Sequence, residues 1–302
     1  GWAGWASNNG GWARWVATGW ILLVGFNLLS AVLLLWRHLM AVAGRPGSAI
    51  RISLAVFLHL ALIPLVLVLG WWGLLWGGVL AASWLWGTFM TNSMVFGPII
   101  SRCDGAGVWL TIDDGPDPET TPRLLDLLDQ HRARATFFLI GDRVDRHADL
   151  AREIVARGHG LGNHTGSHPQ ASFWAAGPGR TASEILAGNR SIESATGRTP
   201  SWFRAPVGHC NFFVHPASAE AGMSVVGWRR QGYDGVSTKV ELILRRLTRR
   251  LQRGDILVVH DATPVAEEVL EGVLKRLDEL GLACRLPGIG TEGQLPRRST
   301  TR

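Results

Sequence analysis

The sequence predicts an α/β fold preceded by an all-α apolar segment, and three observations carry that reading. From residue 108 onward short apolar runs alternate with amphipathic stretches, the pattern of parallel strands and their covering helices. The run "DILVVH" at 255–260 has an apolar interior, as expected of a strand buried on both faces. Residues 1–100 are almost free of acids and crowded with Leu, Val, Ala and Trp, whereas 104–296 have the mixed charge of a globular domain.

In chain order, the apolar segment is expected to occupy 1–100. Residues 16–36 contain no charge and reach the about 20 residues that cross a bilayer, with Trp12, Trp15, Trp20 and Trp36 as an aromatic belt. "AVAG" at 41–44 has the small residues of a signal-peptide cleavage site, but the apolar run exceeds the usual ~7–15 residues, which favours an anchor. A second apolar stretch breaks at "GWWG" (70–73) into helices near 52–69 and 73–91. The chain is therefore expected in the cell (inner) membrane, multi-pass, with lipid as a partner. Arg37, Arg45 and Arg51 mark the first loop as cytoplasmic, so three spans put the following domain inside and two put it outside. The numbering opens on Gly1, as expected of a sequence beginning inside a longer precursor.

In the domain expected at 105–290, the strands are 108–112, 135–140, 202–204, 223–228, 255–260 and 283–286. Helices fall near 120–131, 143–157, 181–196, 239–252 and 264–280. An open sheet and a closed barrel both fit this alternation. Gly288, Gly290 and Gly293 spell G-x-G-x-x-G, but only "QLPRRSTTR" follows, a tail expected to be disordered over 291–302, so no dinucleotide site is expected.

A formal charge of +6 and a pI near 10.2 raise nucleic acid as a partner, and the absence of any nucleic-acid motif excludes it. The dense cluster "RRLTRRLQR" (245–253) lies opposite Leu244, Leu247 and Leu251 at helical spacing. It reads either as a solvated face or as a contact for anionic lipid or a lipid-linked phosphate. Cys103, Cys210 and Cys284 form no C-x-x-C pair, which argues against a disulfide framework or cysteine metal site.

Chemistry concentrates at strand ends, where parallel α/β folds place their sites. "TIDDGP" (111–116) sets Asp113 beside Asp114 at the end of a buried run. Adjacent side chains of a strand point to opposite faces. Gly115-Pro116 is read as turning the chain out of the strand, so that both carboxylates reach one centre. One can then ligate a metal while the other takes a proton from water. Strand-end punctuation would explain one of the two acids. His164 and His168 in "NHTGSHP" share a face if the segment makes a single turn, and two histidines with a carboxylate leave a metal open positions.

With "HTGSH", "FRAPVG" (203–208), "GWRRQGYDG" (227–235) and "ILVVHD" (256–261), "TIDDGP" resembles the five ordered motifs of the polysaccharide deacetylases, the NodB-homology domain of carbohydrate esterase family 4. The resemblance covers about 105–290. It implies a distorted (β/α) barrel smaller than the usual ~250 residues. By resemblance Asp113 is the general base, Asp114, His164 and His168 are the metal ligands, and Arg204 holds the base. His260 is the acid, Asp234 orients it, and the backbone N–H of Val207 faces the oxyanion. Zinc is the default cofactor, with manganese, cobalt or iron as alternatives. Two departures stand out: Val207 replaces an aromatic residue, and Gly235 stands where the fourth motif has Trp. His209 is expected to pack, and Asp261 to point away from the site.

The expected function is metal-dependent removal of an N-acetyl group from an amino-sugar polysaccharide or glycolipid. The alternatives are a deformylase or other C–N hydrolase acting on a lipid-linked sugar, and an inactive glycan-binding module at the membrane.

Overall fold

Trp109, Leu110 and Ile112 have no solvent exposure, because the strand they form, β1 (Trp109–Gly115), lies at the centre of the sheet with neighbours on both sides. The computed structural model describes residues 57, 71–103 and 107–287. The chain divides into two units, Gly1–Trp84 and Leu85–Arg302, and the second carries the sheet. Its strands are β1, β2 (Ala135–Leu139), β3 (Gly160–Asn163), β4 (Trp202–Phe203), β5 (Ser224–Val225), β6 (Arg230–Gln231) and β7 (Ile256–His260). They pair in the order β5-β4-β3-β2-β1-β7-β6, every pair parallel.

The helices are α1 (Trp71–Phe89), α2 (Thr121–Gln130), α3 (Gly141–Arg146), α4 (Ala148–Ala156), α5 (Pro178–Thr196), α6 (Val214–Glu220), α7 (Val240–Thr248) and α8 (Ala266–Glu279). Alternation along the strands sorts side chains into two layers. Leu110, Ile112, Phe137, Leu139, Leu257 and Val259 join a core with residues of α2, α4, α7 and α8. Trp109, Phe138, Ile256 and Val258 form a second cluster with Val226 and Trp228 on the opposite face. By the same alternation Thr111, Asp113 and His260 belong to that second face, so the sheet carries its polar chemistry on the side away from the main helical core.

The α/β alternation holds, and the barrel does not close. β5 and β6 are the two edges and do not pair with each other, which leaves a curled half-barrel. Expected strand 283–286 is a single bridge between Val108 and Cys284. Expected helix 143–157 breaks at His147 (φ −133°, ψ 50°) into α3 and α4. Expected helix 239–252 stops at Thr248, and Arg250 is left-handed at φ 55°. The short strands β3 and β6 and helix α6 were not expected. The sequence "GLGN" of β3 has almost no side chain with which to signal a strand, and close packing is the reason. A Cβ on Gly162 would lie 2.4 Å from the Phe138 ring.

The third expected span, 73–91, is corrected. It forms α1, but no helix among the described residues is long and apolar enough to cross a membrane. Its 19 residues include Trp71, Trp72, Trp76, Trp84 and Trp86 and four glycines, which dilute the aliphatic content a span requires. The expected span 16–36, all of 52–69 except residue 57, and the tail 291–302 lie outside the described residues.

Candidate active site

Asp113 keeps strand geometry, paired with Phe138 of β2 and His260 of β7. Asp114 does not. It takes a left-handed conformation at φ 69°, and the register with β2 shifts between Asp113 and Gly115. Asp is one of the few residues besides glycine that adopts this conformation as a single residue. This bulge, rather than an exit forced by Gly115-Pro116, brings the second carboxylate round toward the histidines.

The histidines come from the turn after β3. Asn163 is fully buried; its side chain donates to Ile185 O and Asn189 Oδ1 of α5 and accepts the N–H of Thr165, each at 2.7 Å. Thr165 Oγ1 in turn accepts the His168 N–H at 3.0 Å. Thr165 and His168 are both left-handed, at φ 72° and 53°, so a tight turn and not a helix sets the spacing. His164 Nδ1 meets the carbonyl of Arg204 at 2.8 Å. A carbonyl only accepts, so Nδ1 carries the proton and Nε2 presents its lone pair.

Asp114 Oδ1 lies 3.4 Å from His164 Nε2 and 3.3 Å from His168 Nε2, and the three donor atoms fall within 4.8 Å of one another. That oxygen is buried and has no hydrogen-bond donor. Burial, then the proximity of His164, pushes His168 down to about 4, so its imidazole is neutral at pH 7. Burial opposes ionisation of Asp114, but the neighbouring imidazoles, His164 first and then His168 and His260, outweigh it and hold the carboxyl well below its usual range. A carboxylate facing the lone pair of one imidazole and a second, neutral ring fits a divalent cation.

Arg204 is fully buried and grips the neighbouring acid. Its Nη1 donates to Asp113 Oδ1 at 2.6 Å and to Thr111 Oγ1 at 2.8 Å, and Nη2 donates to Gly227 O at 2.9 Å. The guanidinium carbon lies 4.2 Å from the Phe138 ring centroid and 5.5 Å from that of Trp228. Burial works to strip its proton, lowering its pKa, while Asp113 opposes this. With Oδ1 of Asp113 committed to Arg204, Oδ2 turns to the cluster, 3.9 Å from His164 Nε2.

His260 ends β7. Asp234, itself buried, accepts the His260 backbone N–H at 2.7 Å and meets Nδ1 at 2.9 Å. Burial pulls the imidazolium down, but the bond and charge of Asp234, then the charges of Asp113 and Asp114, leave its pKa raised to about 9. Val207 follows Pro206 in the loop after β4, half exposed and left-handed at φ 58°.

Of the residues left out of the site, His209 packs edge-on against Phe89 with ring centroids 5.0 Å apart. Asp261 turns to Thr120 and Thr121 at the start of α2. Thr111 and Asn163 were not singled out from the sequence. Each opens a quoted motif, but only the fold shows that one holds Arg204 and the other the histidine turn.

An α/β sheet presenting an arginine-held carboxylate, an Asp-His-His cluster and an Asp-supported histidine at neighbouring strand ends is the working face of a hydrolase of carbon–nitrogen bonds. A family model described as polysaccharide deacetylase matches residues 102–226. The chain belongs to that family. It is 36% identical over 173 residues to a peptidoglycan-N-acetylglucosamine deacetylase of Bacillus cereus, covering 57% of this chain and 80% of the relative. It is 40% identical over 162 residues to a chitooligosaccharide deacetylase of Bradyrhizobium, covering 53% and 73%. The solved structure of a family 4 carbohydrate esterase from Streptomyces lividans in complex with acetate superposes with a TM-score of 0.56 at 30% identity, covering 61% of this chain and 93% of that one.

Proposed function

We propose that the protein hydrolyses N-acetyl groups on an amino-sugar polymer of the peptidoglycan or chitooligosaccharide kind, the substrates named for its relatives. The observation that carries this reading is the pairing of Asp113 with His260 across β1 and β7, beside the Asp114, His164 and His168 cluster. Asp114, His164 and His168 would hold one divalent cation, zinc by donor chemistry. Such an ion supplies Lewis acidity, lowering the pKa of water and polarising an amide carbonyl.

The proton chemistry belongs to the protein. Asp113 Oδ2 accepts the proton of the attacking water, while Arg204 keeps Oδ1 fixed. The Val207 N–H donates to the oxygen that becomes negative. An amine leaves readily only once protonated, and His260, with Nδ1–H held by Asp234, supplies that proton from Nε2.

The test separates turnover from binding. Asp113→Asn and His260→Asn are expected to keep the zinc content of the parent and lose about 10²–10⁴-fold in deacetylation of a chitooligosaccharide, read by acetate release. Normal rates in either zinc-loaded variant would overturn the assignment. A parent chain that binds zinc and glycan but releases no acetate would be a binding module instead.

A further inference from the structure

Beside the edge strand β6 lies a cavity of about 650 Å³ lined by Arg229, Arg230, Arg246, Arg249 and Arg250. No side chain of the proposed catalytic or metal-ligating set lines it. The arginines come from two places in the sequence. Arg229 and Arg230 run into β6, while Arg246 lies on α7 and Arg249 and Arg250 follow it. The early end of α7 and the left-handed turn at Arg250 bring the second group to the same cavity.

Little negative charge meets them. Arg230 Nε donates to Asp255 Oδ2 at 2.8 Å, but the other oxygen of that buried acid takes Arg102 at 3.1 Å. Arg246 lies over the Tyr233 ring, 5.3 Å from its centroid. Arg229, Arg249 and Arg250 are exposed, and among the described residues their guanidiniums have no acidic or hydrogen-bonding partner. Basic residues at a helix C-terminus complement the helix dipole, which accounts for Arg245 and Arg246. That effect does not reach Arg229 and Arg230 on a different element, nor does it produce a concave wall.

We propose that this cavity is a binding site for a phosphate or pyrophosphate group. Guanidinium forks match phosphate oxygens in pairs. Three unpartnered positive charges exceed what one carboxylate needs and suit the about −2 to −3 of a pyrophosphate. The volume falls within the ~300–1,000 Å³ of small-molecule sites. Two lining residues connect the cavity to the catalytic face. The Trp228 ring lies against Arg204, which holds Asp113, and Tyr233 immediately precedes Asp234, which holds His260. The phosphate is carried either by the sugar substrate or by a lipid headgroup. The proposal is independent of the deacetylase reading, because it is tested by binding without turnover.

The full chain is titrated calorimetrically with inorganic pyrophosphate and with N-acetylglucosamine 1-phosphate, and sedimented with phosphatidylglycerol or phosphatidylcholine vesicles. One variant carries Arg229→Gln, Arg249→Gln and Arg250→Gln. A control carries Arg146→Gln, Arg190→Gln and Arg198→Gln, the same loss of charge at exposed positions elsewhere. The first variant is expected to lose about tenfold or more in affinity, and the control less than about threefold. Binding of the soluble phosphates assigns the site to a phosphorylated sugar. Binding confined to phosphatidylglycerol vesicles assigns it to lipid. Failure of every probe to bind, or equal weakening in both variants, overturns the proposal.

Discussion

Asp234 holds His260 by both carboxylate oxygens, one on the backbone N–H and one on Nδ1, so a single acid sets both the position and the protonation of the imidazole. A general acid works while protonated, so the rate falls as pH rises through its pKa. That limb starts from the raised value of about 9 and lies lower with a cation in the site, which repels the imidazolium. Asp234→Asn removes the charge and turns an NH₂ group toward one of the two N–H donors. The alkaline limb of kcat is expected to move to lower pH by about one unit or more, with zinc content unchanged. An unmoved limb would mean that Asp234 serves only as packing. At this scale the sequence was most informative, since acids and histidines at strand ends are rare enough to stand out. It said less about how the pair of acids is presented. The left-handed bulge at Asp114 leaves no mark in the letters, because Asp, which visits that conformation more readily than most residues, is equally common in ordinary strand ends and turns.

At the level of elements, the histidine turn depends on how closely α5 approaches it. A Cβ on Gly188 would lie 2.4 Å from Asn163 Oδ1, which holds the Thr165 N–H in the turn bearing His164 and His168, and 2.8 Å from Thr165 O. Gly188→Ala is therefore expected to raise the zinc dissociation constant about 10–100-fold, measured by competition with a chromogenic chelator. An unchanged constant would show that the turn holds its shape without α5. Glycines are also why β3 was illegible. Gly160 and Gly162 give no alternation to read, and their role is to admit neighbouring side chains. The helices, by contrast, were legible from their apolar spacing, apart from their ends. α7 stops at Thr248 although Leu251 continues the apolar period, because periodicity does not encode where a backbone turns.

For the whole molecule, stability on the acid side is linked to His159, which is 2% exposed. Its Nδ1 accepts the Ala135 N–H at 3.3 Å. Burial first, then Arg134, lowers its pKa to about 4. The unfolded chain takes up a proton below about 6.5 and the folded chain only below about 4, so stability falls as pH drops through that window. The loss is on the order of 3 kcal/mol at most. His159→Asn keeps an acceptor near Nδ1 and cannot titrate. Urea melts at pH 7 and pH 4.5 are expected to show a smaller difference for this variant than for the parent, and equal differences would dismiss the linkage. Parallel order was legible because alternating strands and helices leave few other topologies, whereas closure was not, since it depends on whether two short edges meet. One consequence follows from Asp113 and His260 being level on adjacent strands. Hydrogen bonding alone keeps neighbouring chains about 4.8 Å apart, so the spacing of the backbone positions that carry the two side chains is fixed by the ladder itself. The loops around them are then free to change which sugar enters while the path of the proton stays the same.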